Sequence, residues 1–234
     1  MNPQDQSVVT SPLDSAVEEK LTTAQRSHSL VWVYLVFLLI GGIFTAAWIT
    51  GGASDAGPVT LIPVASAPVV PDFTLIAQDG RPVSRADYQN KVWIANFIYA
   101  QCPGPCPTLT ARMASVQQAL AKHKDQVRLA SFSLDPMRDT PAILSDYARR
   151  FHADTNWWAF ITGPSEEKMH ELVEKGFLQS VVPGDDDNPM MHSNYVAVVD
   201  GAGRIRAFYD GMDVKSKPMI LSAVRQLLRE QGGS

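Results

Sequence analysis

The nine residues Lys91–Tyr99 read KVWIANFIY, apolar almost from end to end. A strand with one wet face alternates apolar and polar positions, whereas an unbroken apolar run needs cover on both faces. Such a strand belongs in the middle of a sheet with helices packed above and below it. Directly after it come the chain's only two cysteines, in Gln101-Cys102-Pro103-Gly104-Pro105-Cys106-Pro107. Thr108 to Lys124 follows, with Leu109, Met113, Val116 and Leu120 at helical spacing. The thiol pair therefore stands between a central strand and a helix, at the strand's carboxyl end, where open α/β sheets bind ligands.

The remaining pattern extends this plan. Phe73 to Ala77 and Arg81 to Ser84 flank Asp79-Gly80, a hairpin signal. Val127 to Leu134 and Trp158 to Thr162 read as strands. Helices are expected from Thr140-Pro141 to about His152, with Asp139 or Thr140 as cap, and from Ser165 to Lys175. Tyr195 to Val199 and Arg204 to Tyr209 form a second hairpin across Asp200-Gly201-Ala202-Gly203, and Val214 to Arg229 a closing helix. Strands and helices in this order predict an α/β sandwich, a central mixed sheet with helices on both faces. The order matches a thioredoxin-type domain carrying an insertion.

Upstream, Leu30 to Ile49 carries no charge over 20 residues. At about 1.5 Å per residue it crosses a hydrocarbon core of roughly 30 Å, and Trp32, Tyr34 and Trp48 sit near its ends, where such rings favour headgroups. A cleaved signal peptide has a shorter apolar core and lacks so long a polar segment before it, so a single transmembrane anchor is expected. Lys20 and Arg26 precede the run and no cation follows until Arg81, which directs the N-terminus to the cytoplasm. The leader also holds Asp5, Asp14, Glu18 and Glu19, unlike an acid-poor transit peptide. The expected plan is a cytoplasmic leader 1–29, an anchor 30–50, a Gly/Pro/Ala-rich linker 51–70 and a folded domain 71–234 in the periplasm of a bacterial inner membrane. After residue 50, eighteen Lys and Arg face twenty Asp and Glu, which excludes the basic face that nucleic acid requires.

Proline disfavours helical backbone in the residue before it, so Cys102 and Cys106 are both expected to be extended. Pro107 suits a first helical position, which puts Cys106 just ahead of a helix N-terminus whose amides lower a thiol pKa. Three intervening residues differ from the two of the familiar disulfide-exchange motif, and a bridging metal tolerates a wider pair than a disulfide does. A structural disulfide is the plainer alternative for an exported protein. Soft thiolates with an imidazole suit copper. Of the histidines beyond the leader, His123, His152 and His170 fall in or near helices. His192 instead follows the acidic loop Pro183 to Met191 and directly precedes a strand, where a loop reaches across the sheet end.

These residues resemble the Sco/SenC family of membrane-anchored copper proteins. The resemblance rests on Cys102 to Pro107 after an apolar strand, on Asp135-Pro136-Met137-Arg138-Asp139-Thr140-Pro141, and on His192-Ser193 before a late strand. It covers roughly Pro71 to Leu228. It implies a thioredoxin-like fold binding one copper ion, Cu(I) or Cu(II), through Cys102, Cys106 and His192. It also implies a role in supplying copper to, or keeping reduced, the cysteines of the dinuclear copper site of cytochrome c oxidase. The implied partners are that copper-site subunit and a periplasmic copper donor or thiol reductant. Asp135 either orients the site or caps the next turn. Met190 and Met191 stand where the family commonly has an acidic residue, and their thioethers bind Cu(I). The competing reading is a membrane-anchored thiol–disulfide oxidoreductase in which Cys102 attacks and Cys106 resolves. A peroxidase is disfavoured, since the Thr/Ser-x-x-Cys activation pattern is missing and Tyr99 and Gln101 stand where its Thr or Ser is wanted.

Overall fold

Strand β3 (Val92–Ile98) is buried at all seven positions, as its apolar run demands. Successive side chains point to opposite faces. Val92, Ile94 and Ile98 enter one core with Leu109, Met113, Tyr147, Trp158 and Val224. Trp93, Ala95 and Phe97 enter a second with Phe132, Met169 and Phe177. The computed structural model describes residues 59–183 and 190–233, together with Leu35 and Leu38; the side chains of Pro183 and Met190–His192 are outside it.

Parallel neighbours flank β3 on one side: β4 (Val127–Ser133) pairs with β3, and β5 (Trp158–Thr162) with β4. Parallel pairing needs crossover connections, supplied by helix α1 (Cys106–Ala119) and helix α2 (Pro141–Arg150). Antiparallel hairpins complete the sheet. β1 (Thr74–Ala77) and β2 (Pro82–Ser84) join β5; β8 (Tyr195–Val199) and β9 (Ile205–Asp210) join β3. The order is β2-β1-β5-β4-β3-β8-β9. Gly80 at φ +79° and Gly203 at φ +81° occupy the left-handed backbone region the two tight turns require. Helix α3 (Glu166–Glu171) runs into a π turn over Leu172–Gly176, and helix α4 (Ser216–Gly232) closes the domain. This mixed sheet with helices on both faces is the expected thioredoxin-like sandwich.

Two details lie outside the expectation, and one open choice is resolved. A short ladder of β6 (Val181–Pro183) with β7 (Met190–His192) precedes β8, so His192 ends a strand rather than a loop. Three residues a side are too few to show a period. Thr140, not Asp139, caps α2, its hydroxyl accepting from the Ile143 amide at 3.4 Å. The described part of the expected linker, 59–70, lies along β9: Val70 N–H bonds Gly203 O at 2.9 Å, and Ile205 N–H bonds Pro68 O at 2.8 Å. An edge strand carries unpaired amides and carbonyls that favour such cover.

The chain divides into two compact units, Met1–Ser54 and Asp55–Ser234. In the first, Leu35 and Leu38 are helical and exposed. Apart from these two, the run Leu30 to Ile49 and its expected anchor lie outside the described residues. Among the described residues no helix is long and apolar enough to cross a membrane.

Candidate thiol and metal site

Beyond β3 the backbone turns at once: the Cys102 amide bonds Tyr99 O at 3.2 Å. Pro105 already has helical angles (φ −75°, ψ −24°), and its carbonyl accepts from the Leu109 amide at 2.9 Å. Cys106 is therefore the first helical residue rather than an extended one. Pro107 sits in the first turn, where a missing N–H leaves no bond unmade, so the bias against helix before proline is outweighed.

Both cysteines are free thiols and both are buried, Cys106 completely. Their proton is shared unequally. The Cys106 thiol donates to Cys102, which with the Cys106 and Gly104 amides and the Tyr99 hydroxyl lowers Cys102 to about 5, against the cost of its burial. That same bond, and then burial, push Cys106 far up. This reverses the sequence expectation, in which Cys106 was the acidic thiol. The helix-terminal amide it was expected to use serves both sulfurs, and its lowering of Cys106 is outweighed by the bond to Cys102 and by burial. Cys102 is thus the more acidic sulfur of the pair, and Cys106 holds the shared proton.

Two further groups complete the surroundings. Tyr99 is buried, and its phenol, pushed up by burial and then by its bond to Cys102, stays a donor. Asp139 is fully buried; its Oδ2 accepts from the Ala100 amide at 3.0 Å and from Ser133 Oγ at 2.6 Å. Burial pushes its carboxyl above the usual range. In the sequence Tyr99 stands out only as an unsuitable peroxidase residue and Asp139 only as a cap candidate. The sole local sign is their adjacency to the thiol segment and to Asp135.

Asp135 opens the turn that follows β4, its carbonyl accepting from the Arg138 and Asp139 amides. Its Oδ2 meets Arg138 Nε at 2.6 Å and its Oδ1 accepts from the Arg138 amide at 3.3 Å. It thus caps a turn and holds an arginine. His170 is also engaged, bonding Leu134 O at 3.0 Å.

His192 is aligned with Val181 across the β6–β7 ladder. Two residues on, Asn194 O accepts from the Gly211 amide at 2.9 Å. Gly211 packs so closely on Leu109 and Asn194 that a Cβ has no room. Leu109 belongs to the first turn of α1, so the 192–194 backbone approaches the helix that starts at Cys106. The His192 imidazole, like the Met190 and Met191 side chains, lies outside the described ones. Among the described residues no cluster of three His, Cys, Asp or Glu side chains forms.

A groove of about 670 Å³ lined by Ala100, Gln101, Ile143, Asp146, Arg149 and Arg150 opens beside the thiol loop. Met137 protrudes beyond β4, 70% exposed, and Tyr195 at the start of β8 is also exposed. A wider cleft of about 770 Å³ lies at the opposite end of the sheet, where Asp200, Arg204, Arg206 and Glu230 pair with one another.

A thioredoxin-like sheet with a proton-sharing thiol pair at a strand–helix junction defines a class of thiol-based redox and metal-handling domains. The model of the SCO1/SenC family matches residues 63–229, and the chain belongs to that family. The SCO1 protein homolog of Bacillus subtilis is 31% identical over 156 residues, 67% of this chain and 81% of that one. The "Putative copper-binding protein" of Stutzerimonas stutzeri is 28% identical over 156 residues, 65% of this chain and 73% of its own. The solved structure of BsSco, a Sco-family cytochrome c oxidase assembly protein in which a disulfide switch was identified, superposes with a TM-score of 0.64. It is 29% identical, covering 72% of this chain and 98% of its own.

Proposed function

We propose that this chain is a membrane-tethered copper-binding assembly factor that delivers copper to, or prepares the cysteines of, the dinuclear copper site of cytochrome c oxidase. The observation that carries the reading is the pair itself: two buried free sulfurs in hydrogen-bond contact, Cys102 the more acidic, beyond the carboxyl end of the central strand β3. Membership of the SCO1/SenC family supports it. Copper is cargo here. It takes the place of the proton between Cys102 and Cys106, with His192 as third ligand, so loading at neutral pH releases the Cys106 proton. Unloading is ligand exchange, in which an acceptor's thiolates displace the two sulfurs in turn. The groove beside Ala100 gives an acceptor loop room to approach. Asp135, through Arg138, steadies the turn flanking the site. The leader 1–29 and anchor 30–50, joined through 51–70 to the domain 71–234, hold the site in the periplasm of a bacterial inner membrane, where a copper donor or a thiol reductant meets it.

The test is titration of the reduced protein with Cu(I) and Cu(II), read by competition and by EPR. One tightly held ion per chain is expected, lost in Cys102→Ser and Cys106→Ser and weakened in His192→Ala. Full retention in His192→Ala would remove that residue from the site.

The unequal sharing of the proton also favours the second reading, a thiol–disulfide oxidoreductase. The Cys102 thiolate attacks a substrate disulfide, expelling one substrate thiolate. Cys106 then gives up its proton and closes the Cys102–Cys106 bridge, releasing the second; the pair loses the two electrons the substrate gains. A thiol reductant must then reopen the bridge. Copper bound weakly and indifferently to His192 would shift the weight to this reading.

A further inference from the structure

Asp139 follows the turn that Asp135 caps and precedes the residue that caps α2, yet its side chain serves neither. Thr140 closes the helix by itself. The Asp139 carboxyl turns instead to Ala100, 39 positions earlier, and accepts its amide proton at 3.0 Å. Ala100 lies within the turn from Tyr99 to Cys102, the short link between β3 and the first sulfur. Tyr99, on the other side of Ala100, supplies the hydroxyl that reaches the Cys102 sulfur. The one amide that Asp139 grips thus lies between the residue that donates to the sulfur and the residue that carries it.

The grip is costly in form. Asp139 has no exposed surface, Oδ2 takes both of its donors, and Oδ1 has no hydrogen-bond partner. A buried carboxyl with empty acceptor positions destabilises a fold, and unsatisfied buried groups recur at sites where geometry is held for another purpose. The purpose available here is the thiol loop, whose first sulfur follows the gripped amide by two residues. We infer that Asp139 is a positioning residue of the thiol site, holding the Tyr99–Cys102 turn through the Ala100 amide so that Cys102 meets both Cys106 and Tyr99. This deepens the proposed function, resting on the pair as working thiols and not on the metal they carry.

The experiment uses the full chain, reduced and metal-free, as wild type, Asp139→Ala and Asp139→Asn. The Cys102 alkylation rate at pH 7 and the hydrogen exchange of the Ala100 amide are measured together. Asp139→Ala is expected to expose the Ala100 amide and change the alkylation rate by about 10- to 100-fold, the range typical of groups that hold a ligand in place. Asp139→Asn keeps an oxygen at the same position and is expected to restore most of both. A folded Asp139→Ala protein with wild-type alkylation and a wild-type Ala100 amide overturns the assignment. Should that variant not fold, the wild-type protein decides: an Ala100 amide exchanging as fast as an unbonded one overturns it too. Copper takes no part in these readings, so a failed copper titration leaves their outcome intact.

Discussion

Two buried carboxylates at opposite ends of the sheet are treated in opposite ways. Asp200, in the β8–β9 turn, accepts at Oδ1 from the Ala202 and Arg204 amides, each at 3.0 Å, and at Oδ2 from Arg204 Nε at 2.9 Å and Arg206 Nη1 at 3.4 Å. Arg206 goes on to Glu230 Oε2 at 3.0 Å and, through Nε, to Ile62 O at 2.8 Å. Every acceptor position of Asp200 is used, and the network ties the hairpin, α4 and the N-terminal segment together. Asp139, at the thiol end, meets an amide and a hydroxyl and leaves one oxygen alone. A fully paired buried charge reads as structure, and a half-satisfied one beside reactive sulfurs reads as a site.

The widest separation between the two ends is expected from Asp200→Ala. It leaves the buried Arg206 guanidinium with only Glu230 and Ile62 O and takes the partner from Arg204, and removing one partner of a buried pair costs up to about 3–5 kcal/mol. A urea melt should show that loss, while the Cys102 alkylation rate of the folded protein stays at wild type. A changed rate would mean that the two ends are coupled. At the thiol end the sensitive quantity is reactivity rather than stability. With Cys102 lowered to about 5, the thiolate is the resting form above that pH, and alkylation should be nearly flat from roughly pH 6 to 8 and halved near pH 5. An ordinary thiol, with a pKa of about 8.5, would slow about tenfold per unit over the same range. In Cys106→Ala the largest cause of the lowering is gone, so the midpoint should move up. The smallest effect belongs to Thr140→Ala, immediately beside Asp139. Losing its 3.4 Å cap should cost about 0.5–1 kcal/mol in the melt and leave the alkylation profile unmoved. A shifted profile there would show that the cap, and not Asp139 alone, holds the thiol turn.

The fold was legible wherever a local pattern carried it. The apolar run of β3, the Asp79-Gly80 and Gly203 turns and the Thr140-Pro141 start of α2 all stand where their residue types place them. Periodicity and turn chemistry act over a few residues, so they are readable without the rest of the chain. The β6–β7 ladder and the seating of residues 59–70 on β9 were not legible. A three-residue strand has no measurable period, and edge cover depends on which edge a sheet happens to leave open.

At the site, the sequence by itself supplied the candidates: two cysteines at a strand–helix junction, punctuated by prolines, with Asp135 and His192 downstream. Family membership was legible from those residues, and the soft donor set was expected from them. Only the tertiary structure decided which sulfur is the more acidic. That depends on the direction of one S–H bond and on a tyrosine and two amides that happen to face Cys102. It alone assigned Asp135 to Arg138, Thr140 to the helix and Asp139 to Ala100. A cap is a contact between near neighbours in sequence, whereas the Asp139–Ala100 bond exists only because β3 and β4 lie side by side. Residue type sets what a group can do. Burial and long-range neighbours set which of those things it does.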